Sequence, residues 1–117
     1  MRITNEMIAV AYEIAKEFVS NKMSRTETAD EIVRVNGMNR NSALDYVSNL
    51  KYMLEGRRYV RVMSAAAVKY YLEHIRMDYG EMYYQNARQA VELHIDYIEG
   101  LGYTRLHAID RVLSELN

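Results

Sequence analysis

Between Arg40 and Arg61 the chain spaces its hydrogen-bonding and charged side chains as one helix face and the segment after it would require. Ala43, Val47, Leu50 and Leu54 recur at i, i+4, i+7 and i+11 and define an apolar seam. Stepping about 100° per residue away from that seam points Asn41, Asp45, Ser48 and Tyr52 outward, with Asn49 at the edge and Arg40 in the first turn. These types suit base edges: Asn pairs two-pronged with adenine, Arg with guanine, Asp accepts from cytosine, and Ser bonds either way. The amides at the start of such a helix also favour a phosphate. Arg57, Arg58 and Arg61 follow directly, where guanidinium groups would neutralise backbone phosphates and fix register without reading sequence. Tyr52 and Tyr59 could add hydroxyl contacts. An outward face of Asn, Ser and Asp is equally what a bundle helix shows to water, and Asp45 opposes phosphate.

The residues of catalysis are sparser. There is no Ser-His-Asp order, nucleophile elbow, phosphate-cradling glycine loop or HExxH. His74 and Asp78 stand at i, i+4, a spacing that brings an imidazole and a carboxylate to one ion, but two ligands do not close a metal site. Beside the stripe of Tyr71 and Ile75, His74 reads as a core-edge residue. His94, three after Val91 and four before Ile98, falls on an apolar face and reads as a core or interface imidazole. His107 with Asp110 reads as a solvated pair, as does Asp30 with Glu31. The expectation is no catalytic residue, no metal ligand and no cofactor, so that this chain alone is not an enzyme.

What must position these residues is helical almost throughout. The chain has no proline, each of which would cost a helix interior about 3 kcal/mol. Thr4 caps a first helix to about Asn21, with Ile3 and Ile8 placed for a hydrophobic staple and Ile8, Ala11, Tyr12, Ala15, Phe18 and Val19 as its stripe. Ser24 with Glu27 is a capping box that opens a second helix to about Val35, and Gly37 supplies a left-handed end. Asn39 then caps the helix carrying the outward residues, and Gly56 ends it. The run RRYVRVM alternates, which is compatible with a short extended segment or wing-like strand near 57–63. Ser64 caps a helix to Tyr79 with Val68, Tyr71, Leu72, Ile75 and Tyr79 inward, Gly80 stops it, a further helix runs from about Glu81 to Glu99, and Thr104 is placed to cap a last one to Leu116. The fold class is therefore all-α, a five-to-six-helix bundle in a single domain over 1–117. It contains a helix-turn-helix-like unit at about 24–55 and scaffold helices at about 64–79, 81–99 and 104–116.

With 117 residues and no cysteine, the chain is long enough to fold without staples and suits a reducing compartment, with cytoplasm the default. Glu6, Glu13 and Glu17 interrupt the N-terminal segment, which is neither signal peptide nor membrane span. The net charge of −1 is not that of a strong nonspecific polyanion binder. Its distribution is uneven: Arg34 to Lys69 holds seven basic residues against two acidic, whereas Glu73 to Glu99 holds six acidic against two basic. Two surfaces with different jobs follow from that split. Eleven tyrosines and eight methionines beside one phenylalanine and no tryptophan are more than one small core buries with every hydroxyl paired. Those at Tyr70, Tyr71, Tyr79, Tyr83, Tyr84 and Tyr97 would cover the core edge or form a dimer face. Stacking of a flipped base on such rings is the third reading.

The runs GMNRNSALDYVSNLKYMLEGRRYVRVMS, AVKYYLEHIRMDYG and QNARQAVELHIDYIEGLG together resemble the helical N-terminal, DNA-recognition or targeting domain of bacterial HNH-type restriction-like endonucleases, from the first helix to Gly102. The resemblance implies a noncatalytic module that precedes a nuclease domain in a restriction system. The chain departs from the whole enzymes in lacking an HNH motif, so cleavage does not carry over. The partner implied is double-stranded DNA, with base modification an open question, and no membrane. The alternative is a tyrosine-rich protein-interaction or homodimerisation module with no nucleic-acid role.

Overall fold

A computed structural model of the chain describes residues 2–116. Among them are six helices and no strand: α1 Asn5–Val19, α2 Arg25–Asn36, α3 Arg40–Glu55, α4 Ala65–Tyr79, α5 Glu81–Gly100 and α6 His107–Glu115. None is long and apolar enough to cross a membrane. The helices distribute into two compact units, the first through Lys51 and the second from Tyr52, the division falling inside α3.

In the first unit α1 packs on α2. Ile8, Ala11, Tyr12 and Ala15 of α1 are buried, as are Thr28, Ala29 and Ile32 of α2. The expected caps form: Thr4 accepts from the Met7 amide at 3.2 Å, and Ser24 and Glu27 exchange reciprocal bonds of 3.1 Å. Such a box satisfies two of the amides that a helix start leaves unpaired. Gly37 takes a left-handed φ of 74°, which a side chain would resist, and ends α2. Asn36 donates to the Met7 carbonyl at 3.2 Å and accepts from the Met38 amide at 3.0 Å, fixing how the chain leaves α2. Asn39 then caps α3 by accepting from the amides of Asn41 and Ser42 at 2.9 and 3.4 Å.

In the second unit α4 packs on α5 and α6, and α5 packs on α6. Tyr71, Leu72, Ile75, Tyr84, Val91, Ile95 and Leu113 are among its buried side chains. Arg88 of α5 reaches the end of α6, donating to the carbonyls of Leu113 (2.9 Å) and Leu116 and to the Tyr84 hydroxyl (3.2 Å). A cation on orphan carbonyls offsets the negative end of the helix dipole.

Two local expectations are corrected. Of the two alternatives near 57–63 the strand does not form among the described residues: Tyr59 and Met63 turn inward while Val60 and Val62 stay exposed, and His94 of α5 occupies the Tyr59 carbonyl that a ladder would need. Thr104 does not cap the last helix, which starts at His107 behind Leu106 with no side-chain cap. Arg105 explains the delay, because its guanidinium binds Asp96, Glu99 and Asp110 at 3.5, 3.1 and 3.0 Å and holds the preceding link irregular.

Candidate nucleic-acid interface

The outward side of α3 differs in detail from a bare polar face. Tyr46 and Met53 are buried along with Ala43, Val47, Leu50 and Leu54, so the inward arc spans about 120° rather than a narrow seam. Asn49 lies at the edge of that widened arc and is only 2% exposed. The edge position expected for it holds, but its burial withdraws it from the outward face. Asn41 and Arg40 are exposed, whereas Asp45, Ser48 and Tyr52 are half-buried.

Basic side chains account for part of that cover. Arg25, in the first turn of α2, donates from Nε to the Ser48 hydroxyl, and no carboxylate among the described residues pairs with it. Sequence periodicity gave no hint of this contact, since it joins residues 23 apart. Arg40 donates to Asp30 at 2.9 Å, both partners exposed. In the second unit the Arg57 guanidinium lies 5.3 Å from the centre of the Tyr52 ring and also pairs with Glu55 at 3.2 Å. Exposed ion pairs of this kind contribute about 0–1 kcal/mol and are readily exchanged for a phosphate.

The loop after α3 is built more firmly than its irregular backbone implies. Gly56 turns with φ 68°, and a Cβ there would meet Gln89 Nε2 at 3.3 Å and Asn86 at 3.5 Å. The close approach is used: Asn86 Nδ2 donates to the Leu54 carbonyl at 3.0 Å, and Gln89 Nε2 donates to the Gly56 carbonyl at 3.0 Å. One turn further along α5, His94 Nδ1 lies 2.7 Å from the Tyr59 carbonyl, and its ring stacks on that of Tyr59 with centroids 4.1 Å apart. Three polar side chains of one helix thus hold three carbonyls of the segment 54–59. Of the three, His94 alone stands on the apolar stripe of α5 and was visible there in the sequence, whereas Asn86 and Gln89 lie beside that stripe and their periodicity gave no signal.

Between these anchors Arg57 and Arg58 are exposed, and Arg61 follows, also exposed. Arg58 lies 4.3 Å from the centre of the Tyr97 ring and makes no ion pair among the described residues. A guanidinium on an aromatic face keeps its in-plane donors available and loses less freedom when it meets an anion.

The remaining histidines do not assemble chemistry. His74 is half-buried, its Nδ1 2.9 Å from the Tyr70 carbonyl and its ring stacked on Tyr70. His107 is exposed, and Asp110 pairs with Arg105. No group of three metal-ligating side chains occurs among the described residues. In comparisons with known proteins the chain matches no family model, no curated protein and no solved structure. The resemblance to N-terminal domains of HNH-type restriction-like endonucleases accordingly rests on the sequence runs alone.

Proposed function

We propose that the chain is a noncatalytic module that binds duplex DNA, as a specificity component of a restriction-like endonuclease system in the cytoplasm. The observation that carries this reading is the loop of Arg57, Arg58 and Arg61: its carbonyls are held by Asn86, Gln89 and His94, and Arg58 rests on Tyr97 with no carboxylate partner among the described residues. Pre-positioned guanidinium groups suit phosphate oxygens and supply salt-dependent affinity. Arg25, likewise without a carboxylate partner among the described residues, is a further candidate for phosphate. Base reading falls to the exposed Arg40 and Asn41, with smaller roles for the half-buried Asp45, Ser48 and Tyr52.

Fluorescence anisotropy with labelled duplexes, with and without modified cytosine, at two salt concentrations tests the proposal. The triple substitution Arg57→Ala, Arg58→Ala, Arg61→Ala should weaken binding roughly 100-fold and reduce the salt slope by about 3. Unchanged affinity in that variant overturns the reading.

A second reading, a protein-interaction or homodimerisation module, is favoured by Met77, Met82 and Tyr83, which are 73%, 67% and 38% exposed around the α4–α5 turn. Sedimentation showing a monomer at micromolar concentrations would count against a homodimer.

A further inference from the structure

His94 is fully buried, and its Nδ1 faces a carbonyl, a group that only accepts. The neutral ring therefore carries its proton on Nδ1 and leaves Nε2 a bare lone pair. Among the described residues Nε2 has no hydrogen-bond partner, and neither has the buried hydroxyl of Tyr59, the residue whose ring His94 stacks on and whose carbonyl it holds. A second proton would go to Nε2, creating a buried charged donor with no acceptor among the described residues, which is costly.

We propose that His94 is the positioning residue of the arginine loop, acting with Asn86 and Gln89, and that its neutral imidazole is the form that holds the loop, so that acidification releases the loop and weakens polyanion binding. The proposal rests on the phosphate-binding reading of that loop and adds its regulation. Burial keeps His94 below the usual imidazole range, with the bond to the Tyr59 carbonyl working the other way. Several charged and titratable groups on the packed elements are already engaged. His74 on α4 is bonded to the Tyr70 carbonyl, and Asp96 and Glu99 on α5 and Asp110 on α6 share Arg105. Arg58 on the loop lies over Tyr97.

The sign follows by linkage. A base whose pKa is lowered in the anchored state gives stability that is complete above the ordinary imidazole value of about 6.5 and is lost as pH falls from there toward the lowered value. Each unit of difference between anchored and released loop moves their balance about tenfold. Ordinary electrostatics has the opposite sign, because added positive charge strengthens binding to a polyanion.

The test is an amide and imidazole NMR titration of the full chain from about pH 8 to about pH 5, with duplex anisotropy in parallel. The amides of 57–63 should shift with the midpoint of the His94 ring, and duplex affinity should fall with it. His94→Asn, which keeps a donor near the Nδ1 position but does not titrate, should reverse the trend so that binding strengthens on acidification. His94→Phe, which keeps the stack and removes the donor, should bind weakly at every pH. If that variant does not fold, Gln89→Met provides the loss of an anchor on a background where His94 still titrates, and its loop should release at higher pH. Loop amides indifferent to His94 titration, or an unchanged pH profile in His94→Asn, overturn the proposal. Absence of duplex binding at any pH removes the DNA reading while the NMR result still decides the anchoring.

Discussion

The outward residues of α3 through Ser48, in the first unit, and the arginine loop, in the second, both carry polar and cationic side chains, yet the structure engages them differently. On α3 the hydrogen-bonding groups are engaged before any ligand arrives: Ser48 accepts from Arg25, Arg40 pairs with Asp30, and Asn49 is buried. On the loop the engagement is with backbone, through Asn86, Gln89 and His94, which leaves the guanidinium of Arg58 exposed over a ring. A polar face whose groups satisfy one another is neutralised, whereas a loop whose carbonyls are satisfied from behind presents its side chains at lower entropic cost. Availability depends on the partner as well as the residue type.

The sharpest way to break this contrast is to remove the anchor. His94→Ala deletes a buried ring, its stack and its bond to Tyr59, and should lower unfolding free energy by about 3 kcal/mol in urea, against at most about 0.5 kcal/mol for the exposed His107→Ala. Equal effects would show that the loop is not held as described. A smaller effect should separate the two regions in binding: Arg58→Ala should cost roughly tenfold on every duplex, while Asn41→Ala should change only the ranking of duplexes. A general loss from Asn41→Ala exceeding that from Arg58→Ala would invert the comparison. Tyr97→Leu, which removes the ring under Arg58, should cost about 0.5–1 kcal/mol of duplex binding with little change in thermal midpoint.

Local chemistry explains how much could be read in advance. The capping box at Ser24, the left-handed Gly37, the cap at Asn39 and the stripes of α1 and α4 depend on neighbours within one or two turns, and each is present. The corrections at Asn49, Thr104 and 57–63 share another origin. Asn49 follows from two extra inward residues, Tyr46 and Met53, that widen the buried arc; Thr104 yields to the Arg105 network; and the loop follows from donors about 30 residues away on α5. Arg25 was missed for the same reason, since a contact with Ser48 leaves no trace in the periodicity of either helix. Long-range pairing of polar groups is where periodicity falls silent.

Tyr12, Tyr59, Tyr71 and Tyr84 are the four largest side chains that the fold hides completely, and burial pushes the Tyr59 phenol well above its ordinary range. In strong alkali the chain therefore carries its own optical clock: the concealed Tyr59 phenol develops phenolate absorbance only as fast as the molecule opens. The delay would time the opening without any label attached.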